Sequence, residues 1–598
     1  MRRFVILLAT VQALGCVGVI GDGAPGTGGS HGGSGARGTA PVGASQGDAG
    51  VDGSAPSSST SPSAACVDVI PARRVWTLSR TEYDNSVASV LGNTSSQAQA
   101  TFPGEDRANG FVDNAQSEVV TSALIALMMT AGETIAAQSV NQELSFIGST
   151  LACSLAPSPS TSSPDPCATQ YITNRGAAFF RRPLTADEIT DLYATYVTGF
   201  NNPYPATAGT TSGVQLVIAT LLQMPQFYYR TELGSPTDTT SSPVQLTEYE
   251  IASAISFMAT GNPPDATLLA AASGGTLGSP DAIAAQYQRL IATPSGHSQM
   301  EQFVLQWLGE DQITGLGASA GPVTPALAAE MLTESSDFIE QAVFKGTGTV
   351  NELLTGGYTF ANADLATFYG LPSGGSSSFA KVALDPTSGR AGLLSQGAFL
   401  ISNSQTGVPL LHRGAMIREK LLCETLPSFA SLGLPGFTPP PFATPPFGTT
   451  TKQALTTEIA GVCLTCHQYF MPIGFGLENF DSFGRYQTTQ NGGTVDPSGA
   501  IAESTSIDPA TGLILSPTSS TTTLFADYLG LSAKLASDPR IGSCFANRVV
   551  SYASGRTAAL NECALQATQA PPPGASTATV QQQFVNYVQS KNFAWRTR

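Results

Sequence analysis

The pentapeptide Cys463-Leu464-Thr465-Cys466-His467 constrains this chain more than any other feature, because C-x-x-C-H is the spacing at which a c-type haem is covalently attached. Two thiols three positions apart can add to the two vinyl groups of the porphyrin, and the adjacent imidazole then reaches the iron as its proximal ligand. With nine Cys and four His in 598 residues, chance produces the pattern in roughly one such chain in a thousand. Three other readings compete: a structural disulfide, a thioredoxin-like redox pair, and half of a zinc site. A zinc site needs two further ligands at short spacing, and no second Cys or His pair lies nearby. A thioredoxin-type pair follows a βαβ pattern that is not seen here. The expectation is one haem c, bound through Cys463 and Cys466 with His467 on the iron.

The second face of the iron decides what such a haem can do. Electron-transfer haems carry a sixth ligand, commonly Met or His, whereas an open position permits peroxide or oxygen chemistry. Downstream of His467 there is no His, and the only Met is Met471. On a helix a residue four positions on shares the face of His467, so Met471 cannot cross to the opposite side of the ring. The candidates are therefore upstream, His412 and Met416, with no protein ligand as the third option. Arg413, Arg418 and Arg485 are candidates to pair the haem propionates, since guanidinium binds carboxylates bidentately; surface ion pairing is the alternative. Glu478 and Asp481 carry acid–base chemistry close by, but read more readily as a solvated or capping face.

The first residues point to export. Arg2 and Arg3 precede a short apolar run, Phe4 to Leu14, too short to span a membrane. The run ends in Ala13-Leu14-Gly15-Cys16, which resembles a bacterial lipobox with Cys16 as the lipidated residue; Val17 suggests an outer-membrane destination, facing the periplasm or the surface. Setting aside Cys16, Cys463 and Cys466 leaves Cys66, Cys153, Cys167, Cys423, Cys544 and Cys563, an even number that suits three disulfides in an oxidising compartment. Cys153 with Cys167, flanking a Ser/Pro-rich loop, and Cys423 with Cys544 are the pairings expected. A net charge of −16 removes nucleic acid as a partner, since that needs a basic face.

Residues 17–65 are Gly, Ser, Ala, Pro and Thr with almost no large apolar side chain, and read as a disordered tether. Beyond them the pattern is mainly α. Ser79 with Glu82, Thr185 with Glu188, and Thr247 with Glu250 fit the capping box that opens a helix. Tyr83, Val87, Val90 and Leu91, then Ile251, Ile255 and Met258, recur at helical spacing as core stripes. Pro/Gly/Ser/Thr-rich breaks, including 504–522, divide the chain into helical blocks at 66–150, 151–235 and 236–375, a block at 389–487 carrying C-x-x-C-H, and a C-terminal block at 495–592. Pro435 to Gly448 reads as extended polyproline-like chain before the motif, and Gly492, Gly493 and Gly499 as turn residues.

Ordered stretches along these blocks resemble the planctomycete-type secreted cytochrome-like proteins, built from a fixed series of PSD and PSCyt domains of unknown function. They are Leu78-Ser79-Arg80-Thr81-Glu82-Tyr83, Phe180-Arg181-Arg182-Pro183-Leu184-Thr185, Pro225-Gln226-Phe227-Tyr228-Tyr229-Arg230, Tyr358-Thr359-Phe360-Ala361-Asn362, His412-Arg413-Gly414, Gly474-Phe475-Gly476-Leu477-Glu478-Asn479-Phe480-Asp481 and Tyr552-Ala553-Ser554-Gly555-Arg556. The resemblance implies export, a helical multi-domain body and a cytochrome c-like block at 389–487, and carries no settled reaction. Two departures stand out: Met471 where the family usually has Asp, and Tyr486-Gln487 where Trp-Arg is more common.

Three functions follow. One is an exported, lipid-anchored c-type cytochrome passing electrons to a redox partner. Another is a haem-dependent oxidoreductase or peroxidase-like enzyme whose central block binds an extracellular or periplasmic substrate. The last is a non-redox surface scaffold in which C-x-x-C is a disulfide. No H-E-x-x-H helix and no P-loop is present to support hydrolysis.

Overall fold

The computed structural model describes residues 66–598 apart from 116–119, 205–207, 236–241, 320, 373–374, 405–407, 428–441, 460–461, 505–506, 509 and 515–518. The expected signal with Cys16, the 17–65 tether and the first part of the Pro-rich stretch lie outside the described residues.

The capping boxes open helices as the sequence predicts. Ser79, Thr185 and Thr247 each accept from the amide three residues on, and Glu82, Glu188 and Glu250 return to the cap amide, starting helices Arg80–Leu91, Ala186–Asn201 and Glu248–Thr260. Two of these stop at a glycine in the left-handed conformation, Gly92 (φ 66°) and Gly261 (φ 63°), where a side chain would be strained. The chain is mainly α, with five two-stranded sheets among the described residues.

The described residues from 66 to 598 form one compact unit. Its largest core draws Ile255, Trp307, Phe338, Leu400, Ile473, Phe545 and Phe584 into one apolar cluster, so the central, C-x-x-C-H and C-terminal blocks share an interior. A second core joins the blocks on either side of residue 150, with Tyr83, Ile135, Tyr171 and Val217. The Ser122–Ser149 helix is long and apolar enough to cross a membrane by length and composition. Here it buries Met128, Ile135, Val140 and Ile147 in that second core and lays Gly132 against Leu222.

The two ends of the described chain are stitched together. Cys66 is bonded to Cys563, Arg74–Thr77 pairs with Tyr229–Glu232, and Val244–Gln245 pairs with Trp595–Arg596. Cys153 is bonded to Cys167 and Cys423 to Cys544.

One element departs from the sequence reading. Gly499–Ser504 pairs with Ser519–Phe525 as an antiparallel hairpin across a stretch expected to be loop. Gly499 is not a turn residue; a Cβ there would overlap the Pro472 carbonyl and the Phe525 ring, so its role is to let this strand lie against the helix that carries the motif. Asn491 and Gly492, both at positive φ (50° and 82°), do form the turn between Thr489–Gln490 and Gly493–Thr494.

Candidate haem-attachment site

The motif occupies the first turns of helix Val462–Phe475. At 100° per residue, Cys463, Cys466 and His467 fall within one sector of about 100°, so two thiols and an imidazole share a face. Neither thiol is bonded, whereas the other six described cysteines are paired. His467 is packed on Phe470, ring centroids 4.8 Å apart, and its Nδ1 is buried without a hydrogen-bond partner. Burial holds the imidazole below its ordinary range and therefore neutral, the form that binds iron. Burial, with Cys463 adding to it, also lifts the Cys466 thiol above the usual range. A dithiol working by thioredoxin chemistry needs the opposite, a depressed pKa. Two free thiols beside a neutral imidazole with an orphaned nitrogen form a donor set that fits a haem c.

Helix Pro409–Leu421 sets the position of this helix. A Cβ on Gly414 would overlap the Phe470 carbonyl, and one on Gly474 the Leu410 carbonyl, so the two backbones touch at reciprocal glycines. Arg418 locks the same pair of helices: its Nε donates to the Tyr469 carbonyl at 2.7 Å, Nη2 to the Ala502 carbonyl at 2.6 Å, and Nη1 pairs with Glu424. Glu424 is held in turn by Arg540 at 2.7 Å. Below the motif, Met471 is buried with Val408, Leu410, Leu455 and Phe475, which makes it a core residue.

Gly414 lies midway between His412 and Met416 and is the residue that meets the motif helix. Each candidate, His412 and Met416, is two positions away, about 160° around the helix from Gly414. The three arginine candidates for the propionates are placed differently. Arg413 is fully buried and spends its guanidinium on the carbonyls of Leu400 (3.2 Å), Phe480 (2.8 Å) and Asp481 (2.6 Å) and on Ser404 Oγ. Arg418 is equally buried and committed as described. Burial of both guanidiniums lowers their pKa, Arg413 to about 9. Arg485 sits at the surface, half exposed, paired with Asp481 at 2.8 Å.

The nearby carboxylates serve the backbone. Glu478 Oε1 accepts from the Lys452 amide at 2.6 Å at the start of helix Thr451–Glu458. Asp481 accepts from the amides of Phe483 and Arg485, each at 2.9 Å. Sequence reasoning passed over Glu424 and Arg540 and met Gly414 and Gly474 only within the quoted motifs; the importance of all four lies in which residues they meet across the fold.

Family models match the chain in four places. PSD3, a protein of unknown function (DUF1587), covers residues 77–141. PSD5, a protein of unknown function (DUF1595), covers 167–232. PSD4, a protein of unknown function (DUF1592), covers 246–371. PSCyt3, a protein of unknown function (DUF1588), covers 390–490. The chain therefore carries the planctomycete PSD/PSCyt domain series, and its C-x-x-C-H lies inside the PSCyt3 match. No curated protein and no solved structure matches it.

Proposed function

We propose that this protein is an exported, lipid-anchored c-type cytochrome-like electron carrier, with one haem c held through Cys463 and Cys466 and His467 as its proximal ligand. The observation that carries the reading is the state of the donors: two unbonded thiols and a neutral imidazole on one helical face, in a chain whose other described cysteines are paired. The PSCyt3 match, a cytochrome-like member of the series, supports it. A haem bound there would supply a reversible one-electron change at iron.

The chain contributes position and rigidity. The glycine contact between Gly414 and Gly474 and the Arg418 anchor fix the helix that presents the donors, and desolvation keeps His467 unprotonated. Lipidation at Cys16 would keep the carrier at the cell envelope, within reach of a redox partner protein or small molecule.

A second reading is favoured by one observation. Gly414, rather than His412 or Met416, meets the motif helix; a haem held there without a firm sixth ligand would suit a haem-dependent oxidoreductase or peroxidase-like enzyme. Carbon monoxide binding to the native ferrous protein separates the two, since a carrier with a firm sixth ligand resists it. The shared premise is tested by a pyridine haemochrome spectrum of protein made in a host with haem-attachment machinery. One haem per chain is expected, and Cys463→Ala with Cys466→Ala removes it. A colourless wild-type product would leave only the scaffold.

A further inference from the structure

A cavity of about 830 Å³ lies where the end of helix Pro166–Phe180, the strand Tyr229–Glu232 and the start of helix Glu248–Thr260 meet. That volume is in the range of small-molecule sites. Its lining is rich in cationic side chains for a chain of net charge −16: Arg73, Arg181, Arg182, Arg230 and Arg598 against one acidic side chain, Glu250. Glu250 gives its oxygens to the amides of Leu233 (2.7 Å), Gly234 (3.0 Å) and Thr247 (2.9 Å), the last two sharing one oxygen. Glu188 answers Arg182 at 2.7 Å, and Asp113 (2.6 Å) with Glu82 (3.3 Å) answers Arg230.

Among the described residues no carboxylate pairs with Arg73 or Arg181. Arg181 donates to the carbonyls of Phe179, Gln226, Phe227 and Tyr229, which orients the guanidinium without a carboxylate in direct contact. Burial, with Arg230 and Arg182 nearby and Glu82 opposing, pulls its pKa down to about 9. Arg73 Nε and Nη2 have no hydrogen-bond partner, nor do Gln226 Oε1, Arg230 Nε and Ser253 Oγ. Buried polar groups are ordinarily satisfied, and here five unsatisfied atoms belong to four residues around one cavity. Phe180, Tyr229 and Tyr249 add aromatic surface to the wall.

We propose that this cavity binds a small organic anion, its carboxylate or phosphate group paired with Arg73 in the field of Arg181 and its apolar body against the aromatic wall. Guanidinium is suited to planar or tetrahedral oxyanions. The site stands independently of the haem reading, since none of its lining residues belongs to the C-x-x-C-H block.

Isothermal titration of the full-length protein tests it with phenyl phosphate, benzene-1,3-dicarboxylate, inorganic phosphate and benzyl alcohol. One of the two aromatic anions is expected to bind one per chain, more tightly than inorganic phosphate, with benzyl alcohol silent. Arg73→Gln should weaken that binding about tenfold or more, as loss of a charge-assisted hydrogen bond does. Because Arg73 Nε and Nη2 have no hydrogen-bond partner, its Tm should stay at the wild-type value; Ser253→Ala is the second variant, expected to weaken binding by less. Absence of saturable binding by both aromatic anions up to about 10 mM overturns the proposal. So does binding that Arg73→Gln leaves unchanged, or inorganic phosphate binding as tightly as the aromatic anions.

Discussion

Glu310 offers a sharp quantitative test of the interior. It is fully buried at the end of helix Pro294–Leu308, and neither carboxylate oxygen accepts a hydrogen bond; the neighbouring Ser335 hydroxyl is turned to Gln396 at 2.9 Å. Burial lifts its carboxyl from 4.5 to about 8, Glu334 and Asp311 adding to the rise and only proximity to Ser335 opposing it. A carboxyl raised in the folded state takes up a proton on folding, so its contribution is fully present below 4.5 and is lost as pH rises through about 8. At about 1.4 kcal/mol per unit, that rise sets a ceiling of about 5 kcal/mol on the stability lost, with about 2 kcal/mol gone by pH 6 and about 3 by pH 7. Glu310→Gln keeps the shape and removes the titration. By scanning calorimetry its Tm should lie close to wild type at pH 4.5 and exceed it by several degrees at pH 7.5. A Tm difference that stays constant from pH 4.5 to 8 would refute the assignment of a neutral, desolvated carboxyl.

Two further perturbations probe the seat of the motif helix. Gly414→Ala should destabilise by about 1–3 kcal/mol through overpacking against the Phe470 carbonyl, although alanine is the better helix former by up to about 1 kcal/mol; a stabilised variant in urea unfolding would contradict the close approach. Replacing Cys423 and Cys544 together by Ser opens a loop with sequence separation 121, for which chain entropy gives about 4–5 kcal/mol. Thiol titration under denaturation should then count two fewer cysteines in disulfides, and unchanged stability would argue against the link.

Much of the framework was legible because it is local. Ser79 with Glu82 or Thr247 with Glu250 announces a helix start by a three-residue spacing, and the stripe Tyr83, Val87, Val90, Leu91 announces the buried face. What escaped the sequence depends on distant partners. Ser519–Phe525 reads as loop because Ser and Thr dominate it, yet backbone pairing with Gly499–Ser504 makes it a strand. Arg413 and Arg418 look like propionate ligands by residue type and proximity, and only the fold reveals that backbone carbonyls of Leu400, Phe480, Tyr469 and Ala502 consume them. Likewise only the fold shows that Gly414, between His412 and Met416, is the residue that fits under Phe470. The donor set itself needed no fold to be named.

Mass spectrometry of the proteolytic peptide containing Cys463 to His467, taken from protein matured in a haem-attaching host, addresses the central claim most directly. The account predicts that this peptide carries the mass of one haem through both cysteines and absorbs in the visible range. Recovery of the same peptide with two unmodified cysteines, or with Cys463 bonded to Cys466, would contradict it.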